Sequence, residues 1–325
     1  MWYRAFALLL AAGLLSTIWL RSARLPHSRS ATLAANPLPA IPGCCTAGPL
    51  RLIGAWQLTS PHEDFGGYSA LIRAAPGRLL ALSDRGYTLE FSEPGAVQLR
   101  PQFAAIVGNA QQLKANRDLE AATLDPASGR LWIAQESRNS IERHQLGTGR
   151  EAFRQIPEMK DWALNAGPEA MVRLTGGRFI VLCECTAGWF QSGRHPALLF
   201  AGDPAETGAA QVFTFAGIEG YRPTDMAQLP DGRVLILVRR LVWPVPARFA
   251  IKLLIADPAE ITSGGVWRAR EIADLLAPWP VDNYEGLALE RLPDGTLIGW
   301  IISDENGAVT QRVLLLKVEI DESKL

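Results

Sequence analysis

The sequence predicts an all-β protein, a β-propeller of five blades with four antiparallel strands each, closed by a strand from the amino-terminal side. Three observations carry this. Five units share one plan, and the acidic or hydroxyl residue opening each first strand recurs at Ser69, Glu120, Glu169, Asp225 and Glu285, gaps of 51, 49, 56 and 60 residues. Short strands separated by Gly-containing turns fill every unit, and no long helical periodicity interrupts them. The last unit lacks its fourth strand, and a matching strand stands ahead of the first unit. Closure of this kind removes the exposed sheet edges that a linear array would keep. A six-blade count would require a further unit hidden in the insertions after Cys185 or Arg240.

Residues 5–20 (AFALLLAAGLLSTIWL) are apolar, with Arg4 before them and Arg21 and Arg24 after. As helix they would rise about 24 Å, slightly short of a hydrocarbon core. Residues 1–25 therefore read as a signal peptide or a retained membrane anchor. Either reading predicts an exported protein, periplasmic or extracellular, that meets the membrane only through this segment. Residues 26–49, rich in Pro, Ser and Ala, read as a linker without regular structure. The propeller occupies 50–325.

Within it the first strands read YSALIRA, LEAATLD, PEAMVRL, TDMAQLP and YEGLALE. Turns PGR, PASGR, TGGR, PDGR and PDGT supply the glycine a hairpin needs. The second strands are strongly apolar: LLALSDRG, LWIAQES, FIVLCECT, VLILVRR and LIGWIISDEN. Third strands include TLEFSE, ALLFAGD, IKLLIAD and VLLLKVEI, and fourth strands VQLRPQF, EAFRQIP, QVFTFAG and WRAREIA. The fifth unit ends at its third strand, and LRLIGAWQLT (50–59) supplies the missing one.

Thirty-two basic residues against 33 acidic ones give a net charge of -1. Such a balance predicts no nucleic-acid partner, since phosphate backbones are bound by a surplus of Lys and Arg. Four cysteines, Cys44, Cys45, Cys183 and Cys185, do not have a zinc spacing. In an oxidising compartment a linker cysteine could bond to a strand cysteine.

The inner strand of each blade lines the channel, so the repeat predicts that Ser69, Glu120, Glu169, Asp225 and Glu285 converge near one mouth. Carboxylates crowded there either hold protons or share a cation. A divalent metal follows, with calcium favoured because it takes many oxygens in loose geometry. The candidate metal ligands are Glu120, Glu169, Asp225, Glu285, Asp84 and Asp304. The candidate catalytic residues are Glu120, Glu169 and Glu285 as metal ligand or general base, with Arg85 steadying a leaving oxyanion. A second ring at the ends of the second strands adds Glu136, Glu184, Arg239, Arg240 and Asn306, and some of these should pair with the inner carboxylates. Trp189, Trp243 and Trp279 are loop aromatics that could line the mouth.

The segments FGGYSAL, LLALSDRG, DLEAATLDPASGRLWIAQES, GPEAMVRL and NYEGLALERLPDGT, with SDEN and QRVLLLKVEI, resemble the bacterial phytase-like domain, whose members are described as having esterase-like activity. The resemblance spans residues 50–320 and implies an exported propeller with metal-assisted phosphoesterase or esterase activity. Ser69, Asp84, Arg85, Glu120, Glu169, Glu285, Asp304 and Asn306 match its motif positions. Only five Lys occur in the chain, none at a motif position, a poor match to a highly phosphorylated inositol. The expected ligand is a small-molecule ester or another small ligand. Two alternatives stand beside hydrolysis of phosphate or carboxylic esters: a non-catalytic ligand- or partner-binding propeller, and a sugar-lactone hydrolase.

Overall fold

The computed structural model describes residues 22, 27–39, 44–95, 101–106, 118–187, 192–206, 208–242 and 248–325. Five mainly antiparallel sheets stand around one axis as a five-bladed β-propeller. The inner strands are Tyr68–Ala75, Leu119–Asp125, Pro168–Arg173, Arg222–Gln228 and Asn283–Arg291. Each packs beside the next, and the fifth packs against the first, so the ring is closed. The predicted closure is present: Leu50–Thr59 pairs antiparallel with Leu314–Ile320, Leu315 facing Trp56 and Ile320 facing Leu50.

The second strands read as unbroken apolar runs because both their faces are covered by neighbouring blades. Phe179–Cys183 is buried at every residue, and so is Leu297–Asp304. The core consequently lies in layers between blades. Ile180, Leu182 and Phe213 of blade three meet Ile236, Leu254 and Trp267 in one layer. Leu235, Leu237 and Leu253 of blade four meet Leu287, Ile301 and Leu316 in the next. Each such side chain contributes about 1.5–3 kcal/mol relative to exposure. The hairpins leading into the second strands of blades four and five turn on Gly232 and Gly295, at φ 96° and 88°, which a side chain would strain.

Three features depart from the sequence reading. Part of the linker is ordered: Ala34–Pro37 pairs with the outer edge of Leu50–Thr59, and Thr46–Ala47 pairs with it as well. That closing strand would otherwise present an open edge, and the linker covers it. The segment read as one fourth strand in blade four is split. Val266–Arg268 runs parallel to Gln211–Ala216 of blade three, while Arg270–Asp274 pairs with Arg248–Ala256 of blade four. The cysteines pair within their own motifs, Cys183 with Cys185 and Cys44 with Cys45. Among the described residues no helix is long and apolar enough to cross a membrane. The apolar segment 5–20, Trp189 and Trp243 lie outside them. Trp279 is buried in the layer under blades four and five, so it does not line a mouth.

Candidate functional site

Each inner strand carries a one-residue bulge near its start, which turns one side chain out of the ladder. The bulged residues are Ser69, Glu120, Glu169, Thr224 and Glu285. In blade four the position equivalent to the glutamates is thus Thr224. Asp225 stands one residue later, where the other blades have Ala70, Ala121, Ala170 and Gly286. Thr224 Oγ1 lies 3.4 Å from the carbonyls of Leu237 and Tyr284.

Asp225 therefore leaves the set of converging carboxylates. It is fully enclosed, its Oδ1 accepts from Met226 N at 2.8 Å and its Oδ2 from Leu287 N at 2.7 Å. It also accepts from the backbone of Leu71. Blade one is not blade four's neighbour, so this carboxyl reaches across the axis to join blades four, five and one. Burial holds it well above the ordinary carboxyl range, and those backbone donors pull the other way.

Three of the predicted glutamates do meet. One carboxylate oxygen from each of Glu120, Glu169 and Glu285 lies within 4.8 Å of the others. Two further triads of the same tightness, Asp118–Glu120–Glu136 and Glu136–Glu169–Glu184, extend the group. Of these Asp118 had no place in the repeat, because it precedes the strand, and its signal was only its spacing of two from Glu120. Glu305 was missed beside Asp304 in SDEN; its carboxylate accepts from Gly67 N at 2.9 Å.

Arg239 is the cation built into this mouth. Its guanidinium lies 2.5 Å from Glu285 and Asn283, 3.3 Å from Glu169 and 3.4 Å from Glu184. Burial opposes its charge, but Glu285, Glu184, Glu169 and Asp304 outweigh it and keep the group protonated. Arg222 reaches the other oxygen of Glu184 at 3.3 Å. The remaining candidates border the cluster. Asp304 caps Asn306 N at 2.9 Å and is pushed well up by burial and then by Glu285, Glu305 and Asp84. Asp84 stands 3.9 Å from Arg85 Nε. Arg85 donates to the carbonyls of Phe65 and Gly66 at 2.6 and 2.7 Å, and so fastens the loop before blade one. Ser69 Oγ donates to Leu119 O at 2.6 Å, Arg240 turns away onto the Tyr221 ring at 4.8 Å, and Asn306 serves a turn at φ 50°.

Glu120 is electrostatically distinct. Burial raises its pKa well above the usual range, and among the described residues the charges acting on it most strongly, Glu169, Glu285, Glu136 and Asp84, are all carboxylates that raise it further. Burial lifts Glu136 to about 7, although Gly167 N donates to its Oε1 at 2.9 Å. Among the described residues the donor set is all oxygen, with no His or Cys in any triad. That chemistry suits calcium or magnesium and not zinc.

The sequence model of the phytase-like family, described as esterase-like activity of phytase, matches residues 63–307. The chain belongs to the phytase-like family. No curated protein matches it. Solved structures similar to this phytase-like propeller include the PQQ-bound aldose sugar dehydrogenase of Streptomyces coelicolor, at 12% identity over 84% of this chain and 98% of that one, TM-score 0.49. The α-L-arabinofuranosidase of Podospora anserina, solved with cellotriose, aligns at 11% identity over 81% and 94%, TM-score 0.48. A protein of unknown function from Dyadobacter fermentans aligns at 10% over 84% and 99%, TM-score 0.45. These likenesses say nothing about activity.

The raised carboxyls give the phytase-like propeller a pH signature. Glu136 holds its proton up to about 7 when folded and releases it near 4.5 when unfolded. Between those values the native state binds more protons than the unfolded chain, so stability falls as pH rises. Glu136 alone accounts for about 3 kcal/mol of that loss, and Glu120, Glu169 and Asp304 act in the same direction. Urea melts in chelator should give a higher midpoint at pH 5 than at pH 8; a flat profile would mean the mouth is not proton-linked.

Proposed function

We propose that this protein is an exported, divalent-cation-dependent hydrolase of phosphate or carboxylic esters, with calcium the favoured ion and the site at the acidic mouth. The observation that carries the reading is the surroundings of Glu120. Arg239 compensates Glu169 and Glu285, while among the described residues the charges dominating Glu120 are carboxylates. A second cation beside Glu120 would relieve that repulsion, and Glu120, Glu169 and Glu285 would hold it.

A bound calcium ion would polarise the ester and make water a better nucleophile. Glu136 is the group suited to moving the proton. Burial raises its pKa above the ordinary carboxyl range, which suits the group to accept a proton from water and return it to the leaving oxygen. Gly167 N fixes one of its oxygens. Asp225 and Ser69 take no part, since both are engaged by backbone groups. Arg222, half-exposed at the rim, is a cation able to meet an anionic ester group.

Calcium added to chelator-treated protein should raise its melting temperature by roughly 5–10 °C. It should also restore hydrolysis of nitrophenyl phosphate or acyl esters. Glu120→Gln should lose both, activity falling about a hundredfold or more. Melting that ignores calcium, with no turnover on esters or lactones, would sink the hydrolase and leave a ligand-binding propeller.

A further inference from the structure

The acidic mouth contains a disulfide that its proposed chemistry does not use. Cys183 and Cys185 bond across Glu184, at the end of blade three's second strand. Glu184 is the residue through which blade three grips two arginines of blade four, Arg239 at 3.4 Å and Arg222 at 3.3 Å. The same short segment is fixed from behind. Glu184 N donates to Gly167 O at 2.9 Å and Cys185 N to Ala166 O at 3.1 Å. His195, buried, meets the carbonyl of Cys185 at 2.9 Å. Gly167 in turn donates to Glu136. One loop thus sets the place of both glutamates.

We propose that the Cys183–Cys185 disulfide is a redox-responsive clasp that holds Glu184 in the mouth, opened by a thiol or dithiol reductant. The two sulfurs differ in the way exchange requires. Cys185 is partly exposed, whereas Cys183 is fully buried. An incoming thiolate bonds to Cys185 Sγ, the S–S bond breaks, and Cys183 leaves as thiolate. Cys185 N, 3.3 Å from Cys183 Sγ, stabilises that leaving group. Once protonated by solvent, the Cys183 thiol has an acceptor in Ala166 O at 3.1 Å. A second thiol attacks the mixed disulfide, leaving Cys185 reduced and the two reductant sulfurs joined. Two thiols are oxidised and one disulfide is reduced, with two electrons transferred. Glu184, no longer bridged on either side, relaxes from Arg239 and Arg222. What the clasp regulates, calcium binding at this mouth, rests on the function proposed above; the clasp itself does not.

The test uses the full chain carrying Cys44→Ser and Cys45→Ser, so that one disulfide responds. Opening so short a loop costs roughly 4 °C by itself, so reduction by a trialkylphosphine in chelator should lower the melting temperature by about twice that with Glu184 present. In a Glu184→Gln version the drop should shrink to the loop-closure part alone, because the ion pairs the clasp protects are already gone. Calcium affinity by calorimetry should weaken about tenfold or more on reduction, and Cys183→Ser/Cys185→Ser should match the reduced protein. An equal drop with and without Glu184 overturns the clasp, and calcium binding that is tight and identical in both redox states overturns its control of the cation. If calcium binds in neither state while the Glu184 dependence holds, the clasp stands and the cation reading fails.

Discussion

Asp225→Ala is expected to cost about 4 kcal/mol of folding stability and to leave calcium affinity unchanged. The carboxyl is buried and accepts from Met226 N, Leu287 N and the backbone of Leu71. Alanine would leave those donors facing a void, each at about 1–3 kcal/mol. Packing beside the carboxyl is close on the blade-five side, where a Cβ on Gly286 would lie 2.7 Å from both Leu71 N and Ile302 Cγ2. Asp225→Asn should cost roughly half as much, since its carbonyl oxygen still accepts while its amide turns a donor towards another donor. Urea midpoints with unchanged slopes would report the loss, and calorimetry would report the calcium affinity. A weakened affinity in a folded Asp225→Asn protein would return this residue to the metal set.

That residue also marks how far the sequence could be read. The five-unit repeat and the closing strand were legible because apolar strands between glycine turns recur at nearly constant spacing. Glu120, Glu169 and Glu285 were legible for the same reason, each opening an inner strand. The register in blade four was not, because an aspartate one place late satisfies an acidic pattern as well as one in phase. What fixes the phase is the bulge, a backbone feature. A trace of it does exist in the sequence: Pro168 and Met171 flank Glu169 as Pro223 and Met226 flank Thr224, so proline and methionine align the threonine with the glutamate. Asp118 and Glu305 gave no periodic signal, since they lie outside the strands of the repeat. The crossing of Val266–Arg268 into blade three was equally hidden, because strand propensity says nothing of which neighbour a strand will choose.

Removing Arg239 should separate the structural role of the carboxylates from their role as ligands. In chelator at pH 8, Arg239→Ala leaves Glu169, Glu184 and Glu285 crowded without their shared counter-charge. Breaking a buried pair in this way costs about 3–5 kcal/mol. The loss should shrink at pH 5, where protons neutralise the same groups, as the raised pKa values of Glu169 and Glu285 require. Calcium should shrink it too, and more than it stabilises the wild type. The arginine and the ion compete for overlapping oxygens, so the variant should also bind calcium about tenfold tighter, on the scale by which altered ligand surroundings change metal affinity. Melting temperatures of both proteins, in chelator and in saturating calcium, give the comparison directly. If the deficit is the same in calcium as in chelator, Arg239 and its glutamates are a blade-joining ion-pair network and the cation site belongs elsewhere. If calcium erases it, the buried arginine is standing in for part of the charge that a divalent ion would bring, and the wild-type affinity is set by how readily Glu169 and Glu285 are shared between the two.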